Sequence, residues 1–510
     1  MFATFIKPTD LAQRIDPEHH NPELLEMKKL VQSRFPTSTF RKECSRMNSG
    51  PFGSALLSSA YVSKDQGVIF VRPQDCKSLI VDDDNDNVYI SFEDNNRLKS
   101  SKFNTGSIII TKIGNGIGDM AVIPSNIAEC NISGNAMGAV LKEHDSYFAV
   151  AFLRGKYGQA EVKRGLSGGA KPKIDMESIG SIVFPLVNEV AQKYIGDKVR
   201  QAEQLRAWAK RLRASVDDKL NSLNLPINEP PQLLNRVSVQ TMEDRLDPRP
   251  YRSHYLHLVN EIEKLPHDSI SSVVGLASGC PVSSKDFLEN AGIPLVRIRN
   301  IGFDDFIGLD TGVSKDVYQD ASKYQAKEKM VVVGMDGIFR SQFFVADELP
   351  MLVNQRVAML VPQKIRGELL THWLNRPEGQ MQLNQWAVKT TVEHTSLSDI
   401  GRVLIPRLNE NLENKLADDL LNARLAFRYA KFLTQTAKTL VEALIEGQLT
   451  EQQLIQAQQA LDDGDNSLDQ AILSKLSNEG YAIDVATPLF SDLDELYRLL
   501  ASAAQAETQE

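Results

Sequence analysis

Long apolar runs, paired cysteines and nucleotide-binding signatures are all missing from this 510-residue chain. Its longest apolar stretches, such as Ile108–Ile110 and Val331–Val333, are strand-sized and fall far short of the roughly 20 residues that cross a bilayer. The opening MFATFIKPTD holds no apolar core long enough for a secretory signal. Cys44, Cys76, Cys130 and Cys280 stand far apart with no CxxC pair. Neither a zinc site nor a disulfide framework is expected, and the thiols read as reduced ones in a cytoplasmic protein. No GxxxxGK run followed by Ser or Thr occurs, so a P-loop ATPase is not supported. The Pro-Pro-aromatic tetrapeptide with which amino-methyltransferases hold their target nitrogen is missing too, since Pro230–Pro231 lies between Glu229 and Gln232. His254 and His257 are three apart with no third ligand indicated, and read as structural or surface histidines. No catalytic constellation emerges.

Proline is also absent from Val187–Leu223, which has one glycine and is dense in Lys, Arg, Glu, Gln, Ala and Leu, all good helix formers. Apolar residues recur there at steps of three and four: Ala202, Leu205, Ala209, Leu212 and Val216. Asn409–Glu446 repeats the pattern with Leu416, Leu420, Ala423, Phe427, Ala430, Ala437, Val441 and Leu444, interrupted only by Thr434. Each seam predicts a helix that packs lengthwise on another, and some 35 residues make a rod of roughly 50 Å. The two are expected to pair antiparallel within the chain, leaving outer positions such as Arg206, Lys210 and Arg213 to other subunits. A fully buried Leu in such a seam contributes roughly 1.5–3 kcal/mol.

The segments before these helices resemble each other. RLDPRPYRSHYLHLV (Arg245–Val259) echoes RIDPEHHNPELLEMKKLV (Arg14–Val31), and EKMVVVGMDG echoes TGSIIITKIGNG. At a constant offset of 221, Leu153 matches Leu374, Gly158–Gln159 match Gly379–Gln380, Ile179–Gly180 match Ile400–Gly401, and Pro185 matches Pro406. An internal duplication is expected. Short β-rich runs with irregular loops predict α+β units. The expected layout is a first globular domain over 1–186, a long helix over 187–224 and a proline-rich linker over 225–241. A second globular domain follows over 242–407, then a second long helix over 408–447 and an acidic helical appendage over 448–510, whose Thr450 and Gln453 form a capping box.

The net charge of −9 misleads, because Glu446–Glu510 carries thirteen acids against Lys475 and Arg498 and leaves the rest slightly basic. Local clusters are more telling. GNGIGD (Gly114–Asp119) lacks the GxGxxG spacing and reads as a tight turn. Arg154–Lys173 holds Arg154, Lys156, Lys163, Arg164, Lys171 and Lys173 against Glu161, with glycines that let backbone approach a phosphate chain. Arg97, Lys99, Lys102, Lys112 and Asn115 join that basic set. In the second copy the counterparts are Arg297, Arg299, Asn300, Arg340, Gln342, Asn384, Gln385, Lys389, Thr390 and Thr391, rich in the types that pair with base edges. The loops differ (GLSGGAKPK against WAVKTTVEH) while the framework matches, as expected for two readers with different readout.

PFGSALL, VYISFEDNNRLKSSK, TGSIIITKIGNGIGDMAVIP, GKYGQAEVKRGLSGGAKPKID and IGSIVFPLV, each running toward a long helix, with LVEALIEGQLT closing the second, carry a resemblance. The chain resembles the DNA-specificity subunit of type I restriction-modification systems over about residues 14–450. The resemblance implies two tandem target recognition domains, each reading half of a bipartite double-stranded DNA site, and two helices forming an antiparallel coiled coil that sets the gap. It implies docking of two modification subunits and a restriction/translocase subunit. S-adenosylmethionine and ATP with Mg would sit on those partners, with no cofactor or catalysis in this chain. The second copy departs in GMDGIFRSQF, and the acidic appendage is an addition. A protein-binding adaptor with duplicated domains is the competing reading.

Overall fold

The computed structural model describes residues 17–51, 55–81, 86–168, 172–232, 234–243, 245–303, 305–389 and 391–508. Two of the expected contact residues, Lys171 and Thr390, lie outside the described residues. The chain forms two compact units, Met1–Leu205 with Tyr429–Glu510, and Arg206–Arg428.

In the first unit a helix at Pro22–Arg34, capped by Asn21, leads to strand Thr37–Thr39, which pairs with the last strand of the globular part, Val183–Pro185. Between these lies a four-stranded antiparallel sheet in the order Cys44–Ser49, Ala136–Leu141, Ile108–Thr111, Met120–Val122. Ile108–Ile110 and Met120–Val122 are wholly buried, so these strands read as unbroken apolar runs instead of alternating. A five-stranded sheet follows the order Tyr61–Val62, Tyr89–Ser91, Gly67–Val71, Glu129–Ile132, Lys102–Asn104, with one parallel pairing, Phe70–Val71 on Asn131–Ile132.

One expectation is corrected here. The basic stretch Arg154–Lys173 is not a loop throughout: helix Ser146–Arg154 breaks at Gly155 and helix Lys156–Gly165 follows, so half of it is helical. Tyr157, Ala160, Glu161 and Arg164 fall at helical spacing and form its buried face. Gly158 permits the close turn, because a Cβ there would collide with the backbone of Phe152 and Leu153.

The second unit repeats the plan. His267–Ser269 pairs with Leu404–Pro406. The four-stranded sheet runs Val274–Ser278, Val357–Pro362, Val331–Gly334, Ser341–Phe343, with the same connectivity as in the first unit. Its second sheet, Leu288–Glu289, Thr311–Val313, Ile293–Val296, Leu352–Val353, keeps the parallel pairing, while the counterpart of edge strand Lys102–Asn104 is reduced to a single antiparallel bridge, Gln325 to Leu352. Helices Gly367–Asn375 and Pro377–Trp386 follow as in the first copy.

The long helices span Glu189–Asn221 and Glu410–Glu446. Asn188 and Asn409, 221 residues apart, cap them through Val190 N and Leu412 N, each at 2.9 Å. Gly447, at φ 78°, ends the second. Inside the second unit Val216 and Leu220 of one helix pack with Leu416, Ala417 and Leu420 of the other, and Arg213 lies 4.5 Å above the Phe427 ring. Pairing that falls in one helix as it rises in the other is antiparallel. Leu205, Ala209, Val216, Leu420, Val441 and Leu444 are buried; Leu212 and Phe427 are only half-buried. Arg213 is accordingly committed to the partner helix and not to an outer face.

The acidic appendage contains helices Glu451–Asp462, Ser467–Leu473 and Leu493–Thr508, and the capping box of Thr450 with Gln453 is formed. It is anchored to the first long helix by a buried ion pair. Asp469 and Lys198, each 1% exposed, pair at 2.6 Å, with the hydroxyls of Tyr194 and Tyr497 donating to the same carboxylate. Tyr429, Phe432 and Phe490 form an aromatic cluster beside it. Among the described residues no helix is long and apolar enough to cross a membrane.

Candidate nucleic-acid interface

Each unit brings the same two loops together. In the first, the turn after Ile108–Thr111 meets the hairpin after helix Lys156–Gly165: Ile113 bridges to Lys173, and Ile174 N donates to Lys112 O at 3.1 Å. Ser167 and Lys173 close the hairpin with reciprocal backbone bonds of 2.9 and 2.8 Å. GNGIGD is the tight turn its glycines suggest, with Gly114 at φ 115° and Gly118 at φ 84°. Asn115, Lys163 and Lys173 are exposed around this loop pair and Lys112 is half-buried. Burial alone lowers the Lys112 ammonium from its ordinary pKa, as expected of a cation partly removed from water.

Arg164 does not join them. It is buried against Glu161 at 2.5 Å and donates to His19 O at 3.0 Å, so it ties its helix to the segment around His19. Arg154 is likewise engaged, by Asp119 and by Lys77 O, and Lys156 by Glu446 at 3.1 Å. Arg97 pairs with Asp94 at 2.6 Å and Lys102 with Glu129 at 2.6 Å; Lys99 is exposed. Arg97 ends the helix Phe92–Arg97, Lys99 opens the 3-10 turn Lys99–Ser101 and Lys102 begins the edge strand of the other sheet.

In the second unit Asp336 bridges to His394, and Gly337 N donates to Glu393 O at 2.8 Å. The hairpin here is Val388–Lys389 against Glu393–His394. Lys389 and Thr391 are exposed, with Lys389 paired to Glu393 at 3.2 Å. Arg340 lies 4.9 Å over the Phe303 ring. Arg299 is exposed and engaged by Asp310, and Arg297 sits 5.5 Å over Phe287. Four residues of the expected set turn their amides inward. Asn300 is buried, donating to Ile307 O and Gly308 O at 2.9 and 2.6 Å. Gln342 is buried and donates to Gly302 O and Phe303 O at 3.3 and 3.1 Å. Gln385 is buried against Pro250 O at 3.0 Å, and the Asn384 amide returns to Gln380 O at 2.8 Å. Each of these amides is spent on a backbone carbonyl of its own unit.

Sequence reasoning missed the loop tips. Ile117 and Ile338, related by the same 221-residue offset, stand there, and Ile338 is joined by exposed Val388 and Val392. The offset itself was the signal that could have found them. Among the described residues no group of three or more His, Cys, Asp or Glu side chains could hold a metal ion.

No protein-family model and no curated protein matches the chain. Solved structures similar to it include a type I restriction-modification system S subunit from M. genitalium, 12% identical with a TM-score of 0.45, covering 81% of this chain and 95% of that one. Another comes from work on complex assembly and conformational transition of the type I R-M system, at 12% identity and a TM-score of 0.27 over 86% of this chain and 97% of that one. A third is the HsdS subunit from Thermoanaerobacter tengcongensis, at 14% identity and a TM-score of 0.25 over 86% and 96%. Type I specificity subunits are thus among the solved structures this chain is similar to, over most of its length.

Proposed function

We propose that this chain is a DNA-recognition subunit with no chemistry of its own, serving a type I restriction-modification or related phage-defence system in the cytoplasm. The observation that carries the reading is the doubled loop pair. Ile113–Lys173 and Asp336–His394 build one scaffold twice and present different side chains from it. Loops fixed on a rigid framework are where binding residues concentrate. Exposed Lys163 and Lys173 with half-buried Lys112 in the first unit would contact phosphates and set register, while polar and apolar tips read base edges.

On this reading residues 1–186 and 242–407 are target recognition domains, each for one half of a bipartite site. Residues 187–224 and 408–447 are spacer helices, 225–241 a linker and 448–510 an added appendage. Modification subunits would carry S-adenosylmethionine, and a restriction subunit ATP and Mg. The test is selection of duplexes by the full chain from a random pool, followed by affinity across a salt series. A recovered bipartite motif with a steep salt dependence is expected. Failure to bind any duplex at low salt defeats the reading and leaves the protein-binding adaptor.

A further inference from the structure

Ile338 exposes 64% of its surface at the tip of the loop between Val331–Gly334 and Ser341–Phe343. The loop is held firmly. Gly334 N donates to Arg340 O at 3.0 Å, Arg340 N to Ile338 O at 2.8 Å and Gly337 N to Glu393 O at 2.8 Å, and His394 Nδ1 lies 2.6 Å from Asp336. Val388 and Val392 on the neighbouring hairpin are 47% and 43% exposed, and the Gly337 backbone approaches the Val392 side chain. A rigid loop thus presents an aliphatic tip to solvent.

We propose that this tip reads DNA by apolar contact, with Ile338 packing on the 5-methyl group of a thymine in the major groove. The inference rests on the DNA-recognition reading above and names how its second unit discriminates bases. Three arguments select this occupant. Three aliphatic side chains expose only a few hundred Å² at most, short of the about 800 Å² per partner of a standard protein interface. The surrounding charge suits a duplex: Arg340, Arg356 and Lys389 outnumber the acids Asp336 and Glu393, which Arg356 and Lys389 engage. The thymine methyl is also the apolar group a base pair presents in the major groove. The first unit carries an isoleucine, Ile117, at the equivalent tip, but it is less exposed and stands beside Asn115 where the second unit has Asp336. Ile338 is thus the more exposed of the two equivalent tips, and apolar readout is assigned to it.

The test replaces each thymine of the selected duplex in turn by deoxyuridine, which removes only the methyl, and measures affinity of the full chain. One or two positions within one half-site should weaken binding about three- to five-fold. Ile338→Ala should lose a similar factor on the thymine duplex and little more on the deoxyuridine duplex, the mark of a direct contact in a double-mutant cycle. The DNA substitution leaves the protein untouched, so misfolding cannot mimic it. Affinity unchanged by every replacement, or an Ile338→Ala loss of equal size on both duplexes, overturns the proposal while leaving DNA recognition standing. Failure of the chain to bind any duplex removes both.

Discussion

Gln159 and Gln380 make the same pair of hydrogen bonds in the two units. Gln159 Nε2 donates to Gly118 O and Leu153 O at 3.0 and 2.9 Å, and Gln380 Nε2 to Phe339 O and Leu374 O at 2.9 and 2.7 Å. One amide therefore ties each turn to the helix break behind it, and sets where the loop tip stands. Gln159→Leu and Gln380→Leu should each destabilise by about 1–3 kcal/mol, the cost of leaving carbonyls unpaired. Chemical denaturation of the single variants measures it, and equal, small losses at both sites below about 0.5 kcal/mol would contradict it.

Lys163 and Arg164 are neighbours with opposite expected phenotypes. Lys163→Ala should weaken DNA binding a few-fold and lower the salt slope by about one, with unchanged thermal stability. Arg164→Ala strands Glu161 in the interior and should cost about 3–5 kcal/mol of stability. Thermal melts and salt-dependent anisotropy on both variants separate the two roles, and a stable Arg164→Ala protein with weak binding would reverse the assignment.

The appendage should be acid-labile. Burial raises the Asp469 carboxyl, but Lys198 and the hydroxyls of Tyr194 and Tyr497 outweigh it and hold the group below the usual carboxylate range. A carboxylate held low in the folded state contributes stability above its unfolded pKa, and that contribution is lost as pH falls through the lower folded value. Docking should be complete from about pH 5 to 8 and weaken below about pH 4. Asp469→Asn should expose residues 448–508 to proteolysis at pH 7, where the parent chain resists; equal cleavage rates would rule this out.

Removing one heptad from both long helices takes out roughly 10 Å, about three base pairs. The half-sites should persist and the spacer between them change. Mapping genomic methylation in cells carrying the shortened chain shows which, and an unaltered spacer ends the idea of the helices as a ruler.

The helix seams were legible because Leu205, Ala209, Val216 and Leu420 repeat at helical spacing, a local signal that packing then uses. Leu212 and Phe427 fit the same pattern yet stay half-buried, with Arg213 stacked on the Phe427 ring. The duplicated framework was legible in Gly158–Gln159 and Gly379–Gln380, where close backbone approach admits little else. The candidate site was less so. Arg164 and Gln342 have the composition of a reader but are held by Glu161, His19, Gly302 and Phe303. Only Glu161, three residues before Arg164, offered a local hint; His19 and Gly302 lie far off in sequence.

The first unit is assembled from Met1–Leu205 and Tyr429–Glu510, the second from the unbroken run Arg206–Arg428. During vectorial synthesis the later unit therefore has all its residues before the earlier one does. Lys198 and Tyr194 emerge long before Asp469, their buried counterpart, and remain without it while some 270 residues are added. At about 5–20 residues per second that interval lasts roughly 15–55 seconds. The nascent chain spends it with the helix face around Tyr194 and Lys198 waiting for its cover.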